Sequence, residues 1–284
     1  MIQFINADCL QWMKNQPSNS VHMVFGSPPY EDARTYGIDF NLKGNDWVQW
    51  MADIACESVR ISSGLAAFVV EGKTRKFSYS ATPILLMAEL VKRGVTLRKP
   101  PVFHRVGIPG SGGPDWLRND YEFIVCATSG GKLPWSDNTA MGHPPKWAPG
   151  GEMSHRLTSG SRGKRPSHER VRAIGNRKEN GNRETFPYKA PKKANPGNII
   201  RCNVGGGQMG HKIAHENEAP FPEKLAEFFV MSFCPPGGVV LDPFSGSGTT
   251  AAVAEKCGRS AIGIDVRESQ VELGKRRLQE QAND

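Results

Sequence analysis

The stretch Val239–Thr250 constrains the fold more than any other segment, because it combines a strand pattern, a Gly/Ser loop and a helix pattern. β-branched and aliphatic residues lead to Asp242, and a run of small helix-forming residues follows Thr250. Gly246 and Gly248 allow a sharp turn and leave no Cβ between the loop and a ligand. The helix after the loop directs free N–H groups at whatever lies above it. The segment therefore predicts an α/β fold with a ligand at this loop.

A cofactor with an adenosine moiety fits this loop. Gly246-x-Gly248-x-x-Ala251 matches the loose dinucleotide fingerprint. Asp265 ends a second predicted strand about 20 residues later, where an acid can bind ribose hydroxyls. An ordinary packing turn between a strand and a helix is the alternative interpretation.

The rest of the hydrophobic pattern predicts a doubly wound, mostly parallel sheet. Val21–Phe25 and Leu65–Val70 are apolar almost throughout, which is typical of strands covered on both faces. Helical patterns alternate with these strands, as in α/β folds. We expect four apolar residues near the cofactor loop to share one core: Phe228, Phe229, Leu241 and Ile264.

A second motif, Ser27-Pro28-Pro29-Tyr30, follows the predicted strand Val21–Phe25. Consecutive prolines fix an extended backbone at the carboxyl edge of the sheet, where open α/β sheets bind ligands. The serine hydroxyl and a carbonyl can accept hydrogen bonds from an amine, and the tyrosine ring can stack on a planar group. A plain proline-rich turn is the alternative.

The regular pattern fails between residues 129 and 198, where we predict no regular secondary structure. The chain carries a net charge of +8, yet residues 129–201 alone carry +10, so the excess charge lies in this insert. Basic segments with interleaved aromatic residues favour nucleic acid as a partner. The aromatic residues are Trp135, Trp147, Phe186 and Tyr188. A solvated, partly disordered loop is the alternative.

The two motifs together resemble the S-adenosylmethionine-dependent amino DNA methyltransferases, which make N4-methylcytosine or N6-methyladenine. Their order, with the catalytic motif first and the cofactor loop last, is similar to the β group of that family. The resemblance covers residues 1–127 and 198–280. It implies a Rossmann-like methyltransferase fold with circularly permuted motifs, formed by a catalytic half (1–128), a target-recognition insert (129–198) and a cofactor-binding half (199–284).

The resemblance also implies roles for individual residues, with S-adenosyl-L-methionine as the methyl donor and DNA as the partner. Ser27, Pro28, Pro29 and Tyr30 would hold the target base. The cofactor would contact Asp8 and Cys9 near its adenine, Phe221 and Pro222 as walls, Asp265 at the ribose, and Asp242, Phe244, Ser245, Gly246, Ser247, Gly248 and Thr249 at the methionine part.

Serine in the first position of the catalytic motif favours cytosine N4 as the target, whereas the family usually has Asp or Asn there for adenine. Adenine N6 methylation stays open as the alternative. A nicotinamide-dependent oxidoreductase with the same loop and a non-catalytic DNA-binding protein are remoter alternatives. A homodimer and a companion restriction nuclease are left open as partners.

Composition excludes several other classes. The six cysteines form no CxxC pair or zinc-like cluster, so we assign no metal and no disulfide. No run approaches the ~18 apolar residues of a membrane span, and the first residues lack signal-peptide features. We therefore expect a cytoplasmic protein with no membrane partner, and the family resemblance implies a bacterial, archaeal or phage source.

Overall fold

The structure is a computed structural model that describes residues 1–32, 40–108, 112–145, 152–166, 171–177, 183–187, 192–204, 209–217 and 219–283. The chain divides into two compact units. The first comprises Met1–Ala140 together with Gly197–Asp284, and the second is Met141–Pro196. Residues 129–140 of the predicted insert thus cluster with the first unit.

A nine-stranded sheet forms the centre of the first unit. Its strands are β1 (Ile2–Asn6), β2 (Val21–Gly26), β3 (Ser62–Val70), β6 (Thr96–Leu97), β7 (Val102–Val106), β8 (Tyr121–Thr128), β13 (Ile199–Asn203), β14 (Val239–Asp242) and β15 (Ser260–Asp265). A separate small hairpin pairs β4 (Thr74–Arg75) with β5 (Ser78–Tyr79). The helices are α1 (Cys9–Lys14), α2 (Gly44–Ile61), α3 (Thr82–Lys92), α4 (Glu223–Phe233), α5 (Thr249–Lys256) and α6 (Glu268–Asn283), with a 3-10 helix at Lys212–Glu216.

The strand order is β1-β15-β14-β2-β3-β8-β7-β13, and β6 also pairs with β8. All neighbours from β1 to β3 are parallel, whereas β8 runs antiparallel to β3 and β7. The predicted doubly wound, mostly parallel α/β fold is therefore confirmed.

The central strands are buried on both faces because successive side chains point to opposite sides. In β3, Leu65, Ala67 and Val69 join a core that includes residues of α4 and α5. Their neighbours Ala66, Phe68 and Val70 join a second core that includes residues of α1, α2 and α3. The sheet is thus packed between two helical layers.

This alternation shows that one expectation was wrong. Phe229 lies in the first core and Phe228 packs against it, but Leu241 and Ile264 lie in the second core across the sheet. An apolar run marks a buried strand without showing which of its side chains points to which face.

The carboxyl ends of β2 and β14 meet at one edge of the sheet. A Cβ placed on Gly26, the last residue of β2, would lie only 2.4 Å from Oδ1 of Asp242, the last residue of β14. Glycine is therefore required for this close approach. It brings the segment that begins at Ser27 beside the segment that begins at Pro243.

The second unit contains two antiparallel pairs: β9 (Glu152–Arg156) with β10 (Arg162–Pro166), and β11 (Val171–Arg177) with β12 (Arg183–Pro187). The expectation that this region has no regular elements was therefore wrong. Backbone hydrogen bonds pair these strands, and their largely polar and basic residues show no apolar alternation in the sequence. Several residues of interest lie outside the described residues, namely Lys146, Trp147, Arg170, Lys178, Tyr188 and Lys189.

Within the described ranges, no helix combines the length and the hydrophobicity needed to cross a bilayer. All six cysteines are free thiols, and most of them are buried.

Candidate functional site

The loop after β14 is built on a buried carboxylate. Asp242 is 2% exposed, and its Oδ1 accepts a hydrogen bond from the Phe244 N–H at 3.0 Å. Burial raises the pKa of Asp242 to about 7, and the nearby carboxylate of Asp265 acts in the same direction. Gly246 and Gly248 have φ of +48° and +73°, which glycine adopts without the strain that other residues incur.

Asp265, at the end of β15, fastens this loop. Its Oδ2 accepts a hydrogen bond from the Gly246 N–H at 3.0 Å, and its Oδ1 accepts one from the Arg267 N–H at 2.9 Å. The residue is only 9% exposed. The two acids at the strand ends, Asp242 and Asp265, thus accept hydrogen bonds from the loop backbone at Phe244 and Gly246.

A buried arginine on α6 clamps the other end of the loop. Arg277 is fully buried and donates to Thr249 Oγ1 at 2.8 Å and to Glu223 Oε1 at 2.6 Å. No residue of α6 had a predicted role. The available signal was helical spacing, because Arg277 follows the buried Leu273 by one turn.

The Ser27–Tyr30 segment is held by side chains of neighbouring elements. The Trp47 indole of α2 donates to the Pro29 carbonyl at 2.9 Å. The Ser27 hydroxyl lies 3.3 Å from the Val69 carbonyl oxygen and 3.4 Å from the Tyr30 hydroxyl. If the hydroxyl donates to Val69, its lone pairs remain available to an amine.

The Tyr30 ring is anchored through its hydroxyl, which donates to Glu122 Oε2 at 2.7 Å. Glu122 lies on β8, is 8% exposed, and pairs through Oε1 with Arg105 Nη1 at 3.0 Å. Burial raises the pKa of Glu122, and Arg105 opposes that shift. Glu122 falls inside a predicted strand, so the sequence pattern gave no indication of this contact.

Glu71 is a second acid that had no predicted role. It follows β3 at the same sheet edge and is 8% exposed. Its Oε1 accepts from the Tyr79 hydroxyl at 3.1 Å, while its Oε2 is buried without a hydrogen-bond partner among the described residues. Burial raises the pKa of Glu71 to about 7. An acid directly after a buried strand, as at Asp242 and Asp265, was the available signal.

These elements surround one cleft of about 710 Å³ within the first unit. Fourteen of the sixteen predicted site residues line it: Asp8, Cys9, Ser27, Pro28, Pro29, Tyr30, Phe221, Pro222, Phe244, Ser245, Gly246, Ser247, Thr249 and Asp265. The other two, Asp242 and Gly248, are not part of the lining. Residues without a predicted role complete the wall, among them Phe40, Trp50, Glu71, Arg105, Asn119, Glu122 and Asn217.

The start of α1 forms part of the cleft wall through Asp8 and Cys9. Asp8 caps this helix, since its Oδ1 accepts from the Gln11 N–H at 2.8 Å. Burial raises the pKa of the adjacent Cys9 thiol to about 12, so that thiol is neutral and unreactive at neutral pH. Among the described residues, no three His, Cys or carboxylate side chains gather as a metal site.

The residues that line the cleft suit a positively charged ligand that carries a nucleoside, with a planar base bound next to it. Two strand-end carboxylates face or underlie the glycine loop, and the buried Ser245 hydroxyl has no hydrogen-bond partner among the described residues. Aromatic and proline side chains supply apolar walls on either side. Such a cleft can align two substrates for direct group transfer.

Solved structures identify the class of fold. The chain aligns with PvuII DNA methyltransferase (cytosine-N4-specific) at a TM-score of 0.68 and 18% identity, covering 97% of this chain and 86% of that one. It aligns with TTHA0409 of Thermus thermophilus, solved in complex with S-adenosyl-L-methionine, at a TM-score of 0.60 and 20% identity, covering 99% and 94%. The fold is that of the α/β methyltransferases.

Sequence comparison gives the family. A family model described as DNA methylase, for the N6 and N4 methyltransferases, matches residues 21–276. The chain therefore belongs to this family of DNA amino-methyltransferases, whose methyl donor is S-adenosyl-L-methionine. This confirms the resemblance and the predicted cofactor, and it disfavours an oxidoreductase.

Two curated relatives align over nearly the whole chain. Orphan methyltransferase M.BamHII of Bacillus amyloliquefaciens is 28% identical over 91% of this chain and 89% of its own length. DNA adenine methyltransferase YhdJ of Escherichia coli K12 is 24% identical over 96% of this chain and 81% of its own length. One compared protein is thus named for cytosine and another for adenine, so the target base must be argued from the site.

Proposed function

We propose that this DNA methyltransferase methylates the N4 amine of cytosine in a specific DNA sequence. The observation that carries the proposal is the position of Ser27. Its hydroxyl faces the cleft at the first place of the catalytic motif and is tied to the neutral Val69 carbonyl rather than to a charged group. Such a hydroxyl can orient an amine without supplying a carboxylate.

The cofactor would occupy the part of the cleft around the glycine loop. As the family resemblance implies, Asp265 would bind its ribose hydroxyls, and Asp242 with the glycine loop would hold its methionine part, where Ser245 offers a hydroxyl. Asp8 and Cys9 at the start of α1 would lie near its adenine, and Phe221 and Pro222 would help to wall the cofactor site, as the family resemblance implies. Bound there, the cofactor supplies an already activated methyl group.

The catalytic segment would then orient the base. An amine inside a duplex is unreachable, so the target base must leave the stack, which costs a few kcal/mol. Stacking on Tyr30, whose hydroxyl is fixed by Glu122, returns about 1–3 kcal/mol. Ser27 orients the amine toward the methyl group, and the amine loses its proton to solvent after transfer. The protein's main contribution is alignment.

Mass spectrometry of nucleosides tests the target base. We expect unmethylated DNA incubated with the protein and cofactor to contain N4-methylcytosine. Ser27→Ala should lose most methyl transfer while keeping cofactor affinity, and the exposed Ser18→Ala serves as the matched control. N6-methyladenine as the sole product would overturn the cytosine proposal and leave the family assignment intact.

DNA contact by the second unit is a separate part of the proposal. Its support is the excess of basic residues in the insert. Because each phosphate contact releases counterions, replacing Arg162, Lys164 and Arg165 with serine should flatten the salt dependence of DNA binding. An unchanged slope would contradict a DNA contact at these residues.

A homodimer and a companion nuclease remain hypotheses, which sizing of the purified protein and expression with its neighbouring genes would test.

A further inference from the structure

The β4–β5 hairpin presents an aromatic side chain at an unusual backbone position. It pairs Thr74 with Tyr79 and Arg75 with Ser78, which leaves Lys76 and Phe77 as its two turn residues. Both have left-handed backbones, with φ of +46° and +63°. Gly, Asn and Asp favour such turns, whereas a bulky residue with positive φ is strained. Phe77 is nevertheless 80% exposed, so packing does not explain its presence.

The hairpin is fastened to the catalytic site at its base. The Tyr79 hydroxyl donates to Glu71, which lines the cleft. Arg75 forms an ion pair with Asp32, two residues after Tyr30, and the Lys73 ammonium donates to the Asp32 carbonyl. Since consecutive residues of a strand advance about 3.3 Å, Phe77 lies within roughly 7 Å of Tyr79 along the backbone.

Gly72 makes this attachment close. A Cβ on Gly72 would lie 2.7 Å from the Tyr79 ring, so only glycine lets the hairpin fold back onto the end of β3. The base of the hairpin is therefore held against the cleft wall, while its tip carries a cation and an aromatic ring into solvent. That combination suits a nucleic-acid surface, since a cation contacts phosphate and a ring stacks on bases.

We infer that Phe77 enters the DNA duplex and fills the gap left by the extruded target base, with Lys76 contacting the adjacent phosphate. This inference rests on the proposed function, because it requires a base that leaves the stack and enters the cleft. The partner is duplex DNA that contains the methylation site. The strained turn is retained because it points the ring away from the protein and toward the duplex.

Steady-state methylation by Phe77→Ala on two kinds of duplex tests the inference. The DNA sequence that the protein methylates is first determined by methylation-aware sequencing of DNA treated with the wild-type protein. One duplex has the target base correctly paired, and the other has it mismatched, which makes extrusion easier. We expect kcat/KM to fall about 10- to 100-fold on the paired duplex, as for loss of a base–aromatic stack, and much less on the mismatched duplex.

Controls separate this role from a structural one. Phe77→Trp should retain activity, and Val91→Ala, which truncates another exposed apolar residue, should leave both duplexes unaffected. Phe77→Ala should keep the wild-type Tm and cofactor affinity, because the ring is exposed. Phe77→Gly should match or exceed the wild-type Tm, because glycine removes the backbone strain, and should still lose activity on the paired duplex.

Several outcomes would overturn the inference. Equal losses on the paired and mismatched duplexes, or no loss at all, would show that Phe77 does not assist extrusion. If Trp116→Ala, and not Phe77→Ala, lost activity on the paired duplex but kept it on the mismatched one, the role would belong to Trp116, which is 78% exposed. If the wild-type protein methylated no DNA, both the proposed function and this inference would fail. If the wild-type protein were active and Phe77→Ala were equally active, only the inference would fail.

Discussion

The loop after β14 and the loop after β2 leave neighbouring strands at the same sheet edge, but they are held by different means. The β14 loop contains glycines with positive φ and is held by buried charges, namely Asp242, Asp265 and Arg277. The β2 loop contains two prolines and is held through aromatic side chains: the Trp47 indole donates to the Pro29 carbonyl, and the loop's own Tyr30 donates to the buried Glu122. The first arrangement makes room for a ligand against the backbone, and the second fixes side chains that project toward one.

This difference predicts that the β14 loop is the more costly to disturb. Arg277→Met should lower the free energy of unfolding by about 3 kcal/mol, since it removes the hydrogen bonds from the guanidinium to Thr249 and Glu223, while Glu223 keeps Lys256 as a partner. Urea denaturation measures this. Arg276→Met on the same helix is the control, because Arg276 is half exposed and surface pairs contribute little. Equal effects of the two substitutions would contradict the clamp.

The junction between the two loops comes next. Gly26→Ala places a Cβ 2.4 Å from the Asp242 carboxylate and should cost about 1–3 kcal/mol of stability through overpacking. It should also weaken cofactor binding, which isothermal titration calorimetry measures. Gly113→Ala is the matched control, since a Cβ there meets nothing closer than 4.0 Å. Wild-type affinity in Gly26→Ala would show that the two loops are independent.

The β2 loop should respond through rate as well as stability, because Glu122 is a buried acid that pairs with Arg105. Glu122→Gln keeps an acceptor for the Tyr30 hydroxyl but removes the charge that pairs with Arg105. We expect kcat to fall about 10-fold, because a neutral amide accepts a weaker hydrogen bond than a carboxylate, with cofactor affinity unchanged. Asp120→Asn, at a more exposed acid just before the strand, is the control for single-turnover kinetics. A change confined to cofactor affinity would contradict the assigned position of Glu122.

The buried Asp242 carboxyl also makes stability depend on pH. The folded-state pKa of Asp242 is raised to about 7 from an ordinary value near 3.8, so the folded protein binds a proton that the unfolded chain releases between those values. Its unfolding free energy should therefore fall as pH rises from about 4 to about 7 and level off above. Asp242→Asn should make this slope shallower, though Glu71 contributes in the same direction. An unchanged slope in thermal melts across that range would show that Asp242 is ionised in the free protein.

The sequence was sufficient for the fold class and for both motifs because local rules determine them. Glycines where φ is positive, prolines after a strand and an acid at a strand end each have a physical reason to occupy one position. The contacts that complete the site join residues far apart in the chain. Glu122 lies 92 positions from Tyr30, and Arg277 lies 54 from Glu223, so no local pattern indicates either pair.

The sequence also could not predict which face of the sheet a strand side chain points to. Leu241 and Phe229 are both apolar and buried, but they lie on opposite sides of the sheet. Phe229 belongs to α4, so strand register decides only the face of Leu241, and an apolar run does not encode that face.

The contact between Gly26 and Asp242 has a consequence for anyone who wishes to change the target base of this enzyme. A tetrapeptide grafted at Ser27–Tyr30 from another methyltransferase would carry its own preceding residue, and anything larger than glycine at position 26 would push on the Asp242 carboxyl at the end of the neighbouring strand. Exchange of one loop alone should therefore yield weak enzymes, whereas transplanting both loops with the two strand ends that carry them keeps the shared wall intact.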